Sequence, residues 1–255
     1  METILKVENL FFGYKKEPFL KNICFEATRG EMISVIGENG SGKSTLIKVI
    51  NGNLKSYDGK VIYNGENLKK VSYLRRAREI SVLYQNCECD FPFSCFEVVS
   101  MGLYPHKGNL NGLNKDDIDF IKSIMTMTET IEYAHKSINS ISGGQKQKVF
   151  IARALSQKPK LLFLDEAASG LDISSRIKMT EIILRECKNN GVTVINISHD
   201  INLAFEKSDK ILALKNGEVY SFGKPKDLLN KDFFREVFNV EVKIDFNKKY
   251  FRIIT

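Results

Sequence analysis

Three runs of mostly apolar residues, each short enough to be a buried strand, stand out along the chain. They are Met32–Ile36, Leu161–Leu164 and Val192–Ile197. Such runs are typical of strands covered on both faces of a parallel sheet. Helical patterns follow the first two runs, from Ser44 to Ile50 and from Ser174 to Asn190. This alternation predicts an α/β fold with a parallel-sheet core.

The segments outside these runs have a different character. Residues 1–30 alternate between apolar and polar side chains and predict short antiparallel strands, and Asn64-Gly65 marks a further hairpin. Strand patterns fade between about residues 86 and 158, where apolar residues recur at helical spacing. Ser142-x-x-Gln145 has the form of a capping box that begins a helix. We therefore predict an antiparallel β subdomain and a helical subdomain, of about residues 86–158, inserted within one domain of residues 1–255.

The composition is typical of a globular protein. Of 255 residues, 43% are hydrophobic and 27% are charged, which is enough for a sizeable core. The net charge of +7 suits nucleic acid, an anionic membrane leaflet, a polyphosphate ligand or an ordinary solvated lysine-rich surface. No signal-peptide pattern begins the chain, and no run approaches the ~20 apolar residues of a membrane helix. If this protein works at a membrane, it must therefore dock on a partner there.

Five cysteines are scattered along the chain. Cys87, Cys89 and Cys95 lie near His106 in the sequence, but their spacing matches none of the common zinc motifs. A reduced chain in the cytosol is the simpler interpretation of this cysteine usage.

The most specific motif is a phosphate-binding P-loop, Gly-x4-Gly-Lys-Ser. It follows the strand Met32–Ile36 and opens a helix, which is the context that the motif requires. Glycines let backbone N–H groups surround a phosphate chain at a helix N-terminus, where the dipole favours anions. Lys43 would reach the β- and γ-phosphates, and the Ser44 hydroxyl would bind Mg²⁺. The predicted nucleotide-binding residues are Gly37, Glu38, Asn39, Gly40, Ser41, Gly42, Lys43, Ser44 and Thr45.

Two carboxylates end the second apolar run. Asp165 and Glu166 follow Leu161–Leu164. An Asp at the end of a neighbouring strand completes the magnesium site in P-loop NTPases, and the adjacent Glu is suited to orient or deprotonate a water. A strand that ends in acid is often only structural. The P-loop strengthens the functional interpretation because it already requires a magnesium ligand.

The glycine-rich helix start at Ser142–Gln145 has two interpretations. It could simply cap a helix. The same amides and dipole could also form a second anion site. Because one chain binds one nucleotide at its P-loop, a second anion site would serve the nucleotide of another subunit.

These motifs together resemble an ATP-binding cassette (ABC) ATPase. In order, they are the P-loop, Ile141–Gln145, Leu164-Asp165-Glu166, Ser169-Gly-Leu-Asp172 and Ser198-His199-Asp200. The resemblance covers essentially the whole chain, and the order of five motifs is highly specific. It implies a P-loop NTPase fold with a RecA-like core, and hydrolysis of ATP with Mg²⁺.

The resemblance implies roles for single residues in the chemistry. Asp165 would hold Mg²⁺, and Glu166 would act as the general base. Gln85 would contact Mg²⁺ or the attacking water, and His199 would contact the γ-phosphate. Taken alone, a glutamine or histidine after a strand is commonly structural.

Other residues are implied to bind the nucleotide. Tyr14 would stack on adenine, although a lone tyrosine of this kind is more often a packed strand residue. Asp172 would link the two active sites across a dimer. The motif expected to contact the partner's nucleotide consists of Ser142, Gly143, Gly144 and Gln145.

Departures from the family pattern are small and remove no chemical group. Ile141 replaces the usual Leu, and Tyr84 stands where Pro often precedes the glutamine. Ala167 and Ala168 replace the usual Pro-Thr or Pro-Ser after the acid pair.

Within the family, the resemblance favours the nucleotide-binding subunit of an importer. A DNA-repair ATPase would insert long coiled coils, and the chain shows no sustained heptads. A translation factor would normally carry two cassettes. We therefore expect a head-to-tail dimer of two copies on the cytoplasmic face of the cell membrane. Its partners would be permease subunits and, indirectly, a substrate-binding protein, with no nucleic acid.

The substrate class is suggested only by likeness to one group of cassettes. Asp90–Ser94, Glu97–Gly102 and Tyr104–His106 resemble the metal-chelate uptake group, as do Gly223–Leu229 and Phe234–Val242. That group imports iron–siderophore, haem or cobalamin. Manganese or zinc importers share part of the pattern and are the alternative.

Overall fold

The protein is described from a computed structural model that includes side chains. It describes residues 2–15, 17–85, 87, 89–107, 112–168, 170–245 and 250–254. Among these residues, no helix combines the length and the apolar character that crossing a membrane would require.

The described residues form twelve strands and ten α-helices. The strands are β1 (Thr3–Phe12), β2 (Leu20–Thr28), β3 (Met32–Ile36), β4 (Asp58–Tyr63), β5 (Glu66–Asn67), β6 (Ile80–Leu83), β7 (Leu161–Asp165), β8 (Thr193–Ile197), β9 (Lys210–Lys215), β10 (Glu218–Gly223), β11 (Val242–Asp245) and β12 (Tyr250–Ile253). The helices are α1 (Lys43–Ile50), α2 (Tyr73–Glu79), α3 (Cys95–Ser100), α4 (Tyr104–Lys107), α5 (Lys115–Met127), α6 (Gly143–Ser156), α7 (Ile173–Asn190), α8 (Ile201–Lys207), α9 (Pro225–Leu228) and α10 (Lys231–Phe238).

The chain divides into two compact units. Unit 1 contains Met1–Val71 and Thr193–Thr255, and unit 2 contains Ser72–Val192. Unit 1 therefore combines the two ends of the chain, and unit 2 is formed by one continuous middle segment.

An antiparallel sheet forms the first part of unit 1. Its strands pair in the order β2-β1-β4-β5. The pairing of β1 with β2 shifts register near Asn9 and Asn22, whose φ angles are 46° and 49°. Asparagine tolerates this left-handed backbone, and a bulge continues a strand instead of ending it. The expectation of short strands in residues 1–30 was therefore wrong, since β1 and β2 have 10 and 9 residues.

A mostly parallel sheet forms the second part of unit 1. β3 lies between β8 and β9 and is parallel to both, while β10 is antiparallel to β9. All five residues of β3 are buried, which confirms the prediction from its apolar run. β9 and β10 are joined at Asn216 and Gly217, with φ angles of 52° and 78°. Two positive φ angles are typical of the tight hairpin turn that an Asn-Gly pair favours.

The C-terminal part of unit 1 contains an aromatic cluster that was not predicted. Phe205, Phe233, Phe234 and Phe251 are all at most 5% exposed. The rings of Phe234 and Phe251 have centroids 4.2 Å apart, and Phe205 meets Phe233 edge-to-face at 5.7 Å. Strands β11 and β12 pair antiparallel near the end of the chain. Each has only four residues, which is too short to give a clear pattern in the sequence.

Unit 2 pairs β6 with β7 in parallel and adds helices α2–α7. β7 is buried along its whole length. Helices α3–α6 lie within residues 86–158, and the bounds of that segment as a subdomain stay a prediction. The Ser156 hydroxyl at the end of α6 donates to the Val99 carbonyl of α3 at 2.6 Å. A Cβ at Gly102 would lie 2.0 Å from this hydroxyl oxygen, so the close approach of the two segments depends on glycine.

The aromatic cluster should make a large contribution to stability. We expect Phe234→Ala to lower the free energy of unfolding by about 3–5 kcal/mol, because it removes a fully buried ring and leaves a cavity. Ile253→Ala is the control, since Ile253 lies in the same region but is 53% exposed; it should cost no more than about 0.5 kcal/mol. Chemical denaturation measures both. Equal losses would show that the cluster does not carry the stability of this region.

Candidate functional site

The P-loop joins β3 to α1 in a backbone conformation that depends on glycine. Gly37 has a φ of 147°, and a Cβ there would lie 2.2 Å from the Leu214 carbonyl oxygen. Gly42 has a φ of 104°, and a Cβ there would lie 2.6 Å from the Leu20 side chain. Larger residues would meet both strain and collision at these two positions. The loop can therefore curl tightly at the end of β3.

Lys43 is the first residue of α1, and its side chain folds back over the loop. Its Nζ donates to the carbonyl oxygens of Gly37 at 2.8 Å and Glu38 at 2.9 Å. The N-cap residue Gly42 makes no side-chain hydrogen bond to the first turn, and that turn contains no acidic residue. A helix start of this kind with a cation beside it is suited to bind phosphate.

Tyr14 lies in the loop between β1 and β2 and is 61% exposed. Its hydroxyl shares a hydrogen bond with the Thr45 hydroxyl of α1 at 3.2 Å, and its ring meets Phe12 edge-to-face at 5.0 Å. These contacts hold an exposed ring beside the P-loop helix, an arrangement suited to stacking on a planar ligand. The contact with Thr45 was not predicted because 31 positions separate the two residues.

His199 lies at the same edge of its sheet as the P-loop. β8 is parallel to β3, so both strands end at that edge. The Ser198 N–H donates to the Val35 carbonyl at 3.3 Å, and the Asp200 side chain caps α8 by accepting from the Leu203 N–H at 3.0 Å. These bonds fix the backbone on both sides of the exposed His199.

Unit 2 brings three predicted residues together at the ends of β6 and β7. Asp165 ends β7 and is 4% exposed. Glu166 follows with a φ of 54°. The Gln85 amide donates a close hydrogen bond to the Glu166 carboxylate, across 81 positions of sequence. Since β6 and β7 are parallel, the strand ends that carry these side chains meet at one edge.

Ser142 and Gln145 form the capping box that the sequence predicts at the start of α6. The Ser142 hydroxyl accepts from the Gln145 N–H at 3.3 Å, and the Gln145 side chain accepts from the Ser142 N–H at 2.9 Å. Ser142 and Gly143 are exposed. A Cβ at Gly144 would lie 3.5 Å from the Gly170 carbonyl oxygen. Ser142–Gln145, hereafter the signature motif, thus begins α6 at the surface of unit 2 and approaches the segment that leads to Asp172.

Asp172 is the N-cap of α7, a structural role that was not predicted. Its carboxylate accepts from the Ser175 N–H at 2.9 Å. This hydrogen bond is the main cause of a lowered pKa for Asp172, and the Lys148 charge acts in the same direction. The residue expected to link two active sites is therefore kept ionised and fixed by its own helix.

Glu129 joins α6 to α7 and was also missed by sequence analysis. Its carboxylate contacts Lys148 of α6 at 2.9 Å and Lys178 of α7 at 2.7 Å. Hydrogen bonds from Lys178 and then from Lys148 lower the pKa of Glu129. Because α6 begins with the signature motif and α7 with Asp172, this bridge connects the helices that carry both. No sequence pattern would have shown it, since it depends on tertiary contacts.

The two units each contain a part of the predicted site. Unit 1 holds the P-loop with Tyr14 and His199, and unit 2 holds Gln85 with the acid pair. Ser142–Gln145 and Asp172 stand at the N-termini of two helices of unit 2, while Ser169 lies outside the described residues. The functions of all these residues stay predictions at this point.

The cysteine-rich segment shows no sign of metal binding in the part of it that is described. The thiols of Cys87 and Cys89 donate to the carbonyl oxygens of Tyr84 and Phe91, both at 3.4 Å. Across the described ranges, no group of three or more His, Cys, Asp or Glu residues could hold a metal ion.

Comparison with known proteins identifies the type of domain. The family model described as "ABC transporter" matches residues 20–169. The iron(3+)-hydroxamate import ATP-binding protein FhuC of Bacillus subtilis is 33% identical over 94% of this chain and 89% of its own length.

Solved structures agree with this assignment. A metal-chelate type ABC transporter in an inward-facing conformation matches with a TM-score of 0.84, covering 100% of this chain and 98% of that one; at 24% identity it shows the fold alone. The ATP-binding cassette MJ0796, solved as a dimer with ADP and Pi, matches with a TM-score of 0.78 and 27% identity, covering 87% of this chain and 99% of that one. The α/β P-loop fold predicted from the sequence, with parallel and antiparallel sheets and helices, is confirmed.

The Glu129 bridge should make stability depend on pH. Glu129→Gln should lower the free energy of unfolding at pH 7 by about 0.5–1 kcal/mol, since the bridge is partly exposed. The pKa of Glu129 in the folded protein lies below its ordinary value of 4.5. The stabilisation is therefore present above about pH 4.5 and is lost as the pH falls through the lower folded value.

Chemical denaturation between pH 7 and pH 4 measures this difference. Glu132→Gln is the matched control, because Glu132 is an exposed carboxylate nearby with no ion pair among the described residues. If the two variants follow the same pH dependence, the bridge does not contribute to stability.

Proposed function

Because the chain belongs to the ABC transporter family, whose cassettes hydrolyse ATP to power transport, we propose that it is the ATP-hydrolysing subunit of a metal-chelate importer. The observation that carries the proposal is the P-loop geometry, in which Lys43 folds over a glycine-shaped turn at a helix start. Similarity to FhuC over nearly the whole chain supports the type of transporter.

ATP would bind through residues of unit 1. Its adenine would stack on the exposed Tyr14 ring, and its phosphates would lie against the P-loop amides and the first turn of α1. On binding, Lys43 would exchange its two carbonyl partners for phosphate oxygens. The carbonyls hold the ammonium near the loop beforehand, so less side-chain entropy is lost on binding.

The donor set also fits Mg²⁺. Ser44 offers a hydroxyl, Asp165 a carboxylate and Gln85 an amide oxygen, and hard oxygen ligands of this kind suit a small divalent cation. Asp165 is 4% exposed, and it ends the strand β7 that the acid pair follows. When bound, the ion neutralises charge on the phosphates.

Glu166 would take a proton from the water that attacks the γ-phosphate. Its left-handed backbone turns the chain at the end of β7, and the Gln85 amide holds its carboxylate. Gln85 would thus orient the base, and His199 would donate to the γ-phosphate from the edge it shares with the P-loop. Positioning and charge neutralisation supply most of the catalysis in this class of reaction.

The exposed signature motif supports a dimer of two copies. Ser142, Gly144 and the other residues of Ser142–Gln145 would contact the γ-phosphate held by the P-loop of a second subunit, in a head-to-tail arrangement. Asp172 would connect the two sites. ATP would then stabilise the closed dimer, and hydrolysis would release it.

The transport partners are inferred from the family. The chain would dock on permease subunits at the cytoplasmic face of the cell membrane and depend indirectly on a substrate-binding protein. The transported molecule would be a metal chelate such as an iron–siderophore, which the segment 90–106 and the name of FhuC favour over manganese or zinc. The substrate itself would not touch this subunit.

Two inactive variants should restore each other's activity if the site is shared. Lys43→Ala and Ser142→Arg should each hydrolyse ATP poorly. A mixed dimer would contain one intact site, formed by the Ser142→Arg subunit's P-loop and the other subunit's signature motif. Mixing should therefore recover up to about a quarter of the parental rate, because half of randomly formed dimers are mixed.

The control replaces Ser142→Arg by the double variant Lys43→Ala/Ser142→Arg, which leaves no intact site in any dimer. ATPase assays on each mixture decide the outcome. A parental enzyme that turns over ATP, with no recovery in the first mixture, would refute the shared site and leave the ATPase assignment standing.

Cellular uptake tests the substrate class. A strain lacking this chain should lose uptake of an iron chelate, haem or cobalamin, and keep uptake of manganese. The parental gene should restore uptake, whereas Glu166→Gln, which removes only the proposed general base, should not. Loss of manganese uptake alone would favour the alternative importer, and restoration by Glu166→Gln would contradict coupling to hydrolysis.

A further inference from the structure

The second turn of α6 touches the loop that follows the acid pair. The Gln147 side-chain amide donates to the Ala167 carbonyl oxygen at 2.5 Å, across 20 positions of sequence. Gln147 stands two residues after Gln145, the last residue of the signature motif, and Ala167 directly follows Glu166. One hydrogen bond therefore joins α6 to the residue that follows the proposed general base.

The loop that receives this bond has an unfavourable backbone. Glu166 adopts a φ of 54°, a left-handed conformation that is unfavourable for a residue other than glycine. Such a conformation persists only when surrounding contacts determine it. Ala167 itself is 3% exposed, so its carbonyl oxygen needs a protein partner to replace water.

The rest of the loop is held by different elements. The Leu171 carbonyl accepts from the Arg176 guanidinium of α7 at 3.3 Å, and the Leu171 N–H donates to the Ala168 carbonyl at 3.2 Å. These bonds support the end of the loop near Asp172. The bond from Gln147 supports the end near Glu166.

We propose that Gln147 is a positioning residue for ATP hydrolysis, which holds the Glu166 backbone in its productive conformation through the Ala167 carbonyl. The inference rests on the proposed function. It follows from the geometry because the bond fixes the carbonyl of Ala167, the residue joined directly to Glu166, and so restrains the backbone from which the Glu166 side chain projects. A base displaced by about 1 Å can lose as much as 100-fold in rate.

The same bond would link the two sites of the dimer. Within one subunit, Glu166 would act on that subunit's own ATP, while α6 begins with the motif that contacts the partner's ATP. A shift of α6 on engaging the partner would pass through Gln147 to the Ala167 peptide. Gln147 would thus make hydrolysis at one site depend on the contacts of the same subunit at the other site.

The experiment compares Gln147→Met with Gln157→Met. Methionine keeps the length and helix propensity of glutamine but removes the amide donor. Gln157 follows the last turn of the same helix, and its amide also donates to backbone carbonyls, of Ala77 at 2.6 Å and Ile80 at 2.7 Å. The control therefore loses the same kind of bond in the same unit, at the opposite end of α6.

Equilibrium ATP binding, kcat, the Hill coefficient for ATP and thermal unfolding are measured for both variants and the parent. Gln147→Met should keep the parental ATP affinity, lose roughly 10-fold or more in kcat and show a lower Hill coefficient. Gln157→Met should keep the parental kcat even if its unfolding temperature falls by a similar amount.

The outcomes separate the two levels of the inference. A parental protein without ATPase activity would overturn the proposed function and this inference with it. An active parent with an unchanged kcat for Gln147→Met would overturn the role of Gln147 alone. An equal loss of kcat in both variants would do the same, because it would show a general effect of destabilising unit 2.

Discussion

The parallel pairing of strands is the constraint on which the site depends. β3 lies between β8 and β9 and runs parallel to both, so the P-loop after β3 and His199 after β8 lie at one edge. The β6–β7 pair has the same effect in unit 2. It brings Gln85 to Glu166 although the two residues are far apart in sequence. Within each unit, the candidate site residues thus lie at the ends of neighbouring parallel strands, and short loops are enough to position them.

At the helix starts of unit 2, the side chains that cap the helices are also ones for which we propose a function. Ser142 caps α6 and Asp172 caps α7, while the lysines around Glu129 tie the two helices together. A helix start left without a side-chain cap occurs instead at Gly42, before the P-loop helix. The start of α1 has no side-chain cap, whereas those of α6 and α7 do. This fits the proposed function, since the P-loop amides would bind phosphate directly.

Much of the fold and of the site could be predicted from local patterns. The buried strands are short continuous apolar runs, and the helices after them have apolar residues at helical spacing. The P-loop and the Ser142 capping box are defined by residues close in sequence. Other features depend on contacts between distant segments. The left-handed Glu129 and Glu166, the Gln147 bond to Ala167 and the link between Tyr14 and Thr45 have no local signal. The strand lengths in residues 1–30 were predicted too short, because asparagine is common in turns and in bulges alike and the register shifts near Asn9 and Asn22 do not end the strands.

The C-terminal hairpin has a consequence for handling and truncating the protein. The Phe251 N–H donates to the Asn202 side chain of α8 at 3.0 Å, and the Phe251 ring lies edge-to-face against Phe205 of the same helix, with centroids 6.5 Å apart. α8 begins two residues after His199. Proteolytic trimming or a premature stop codon that removes β12 would release the helix that anchors this histidine.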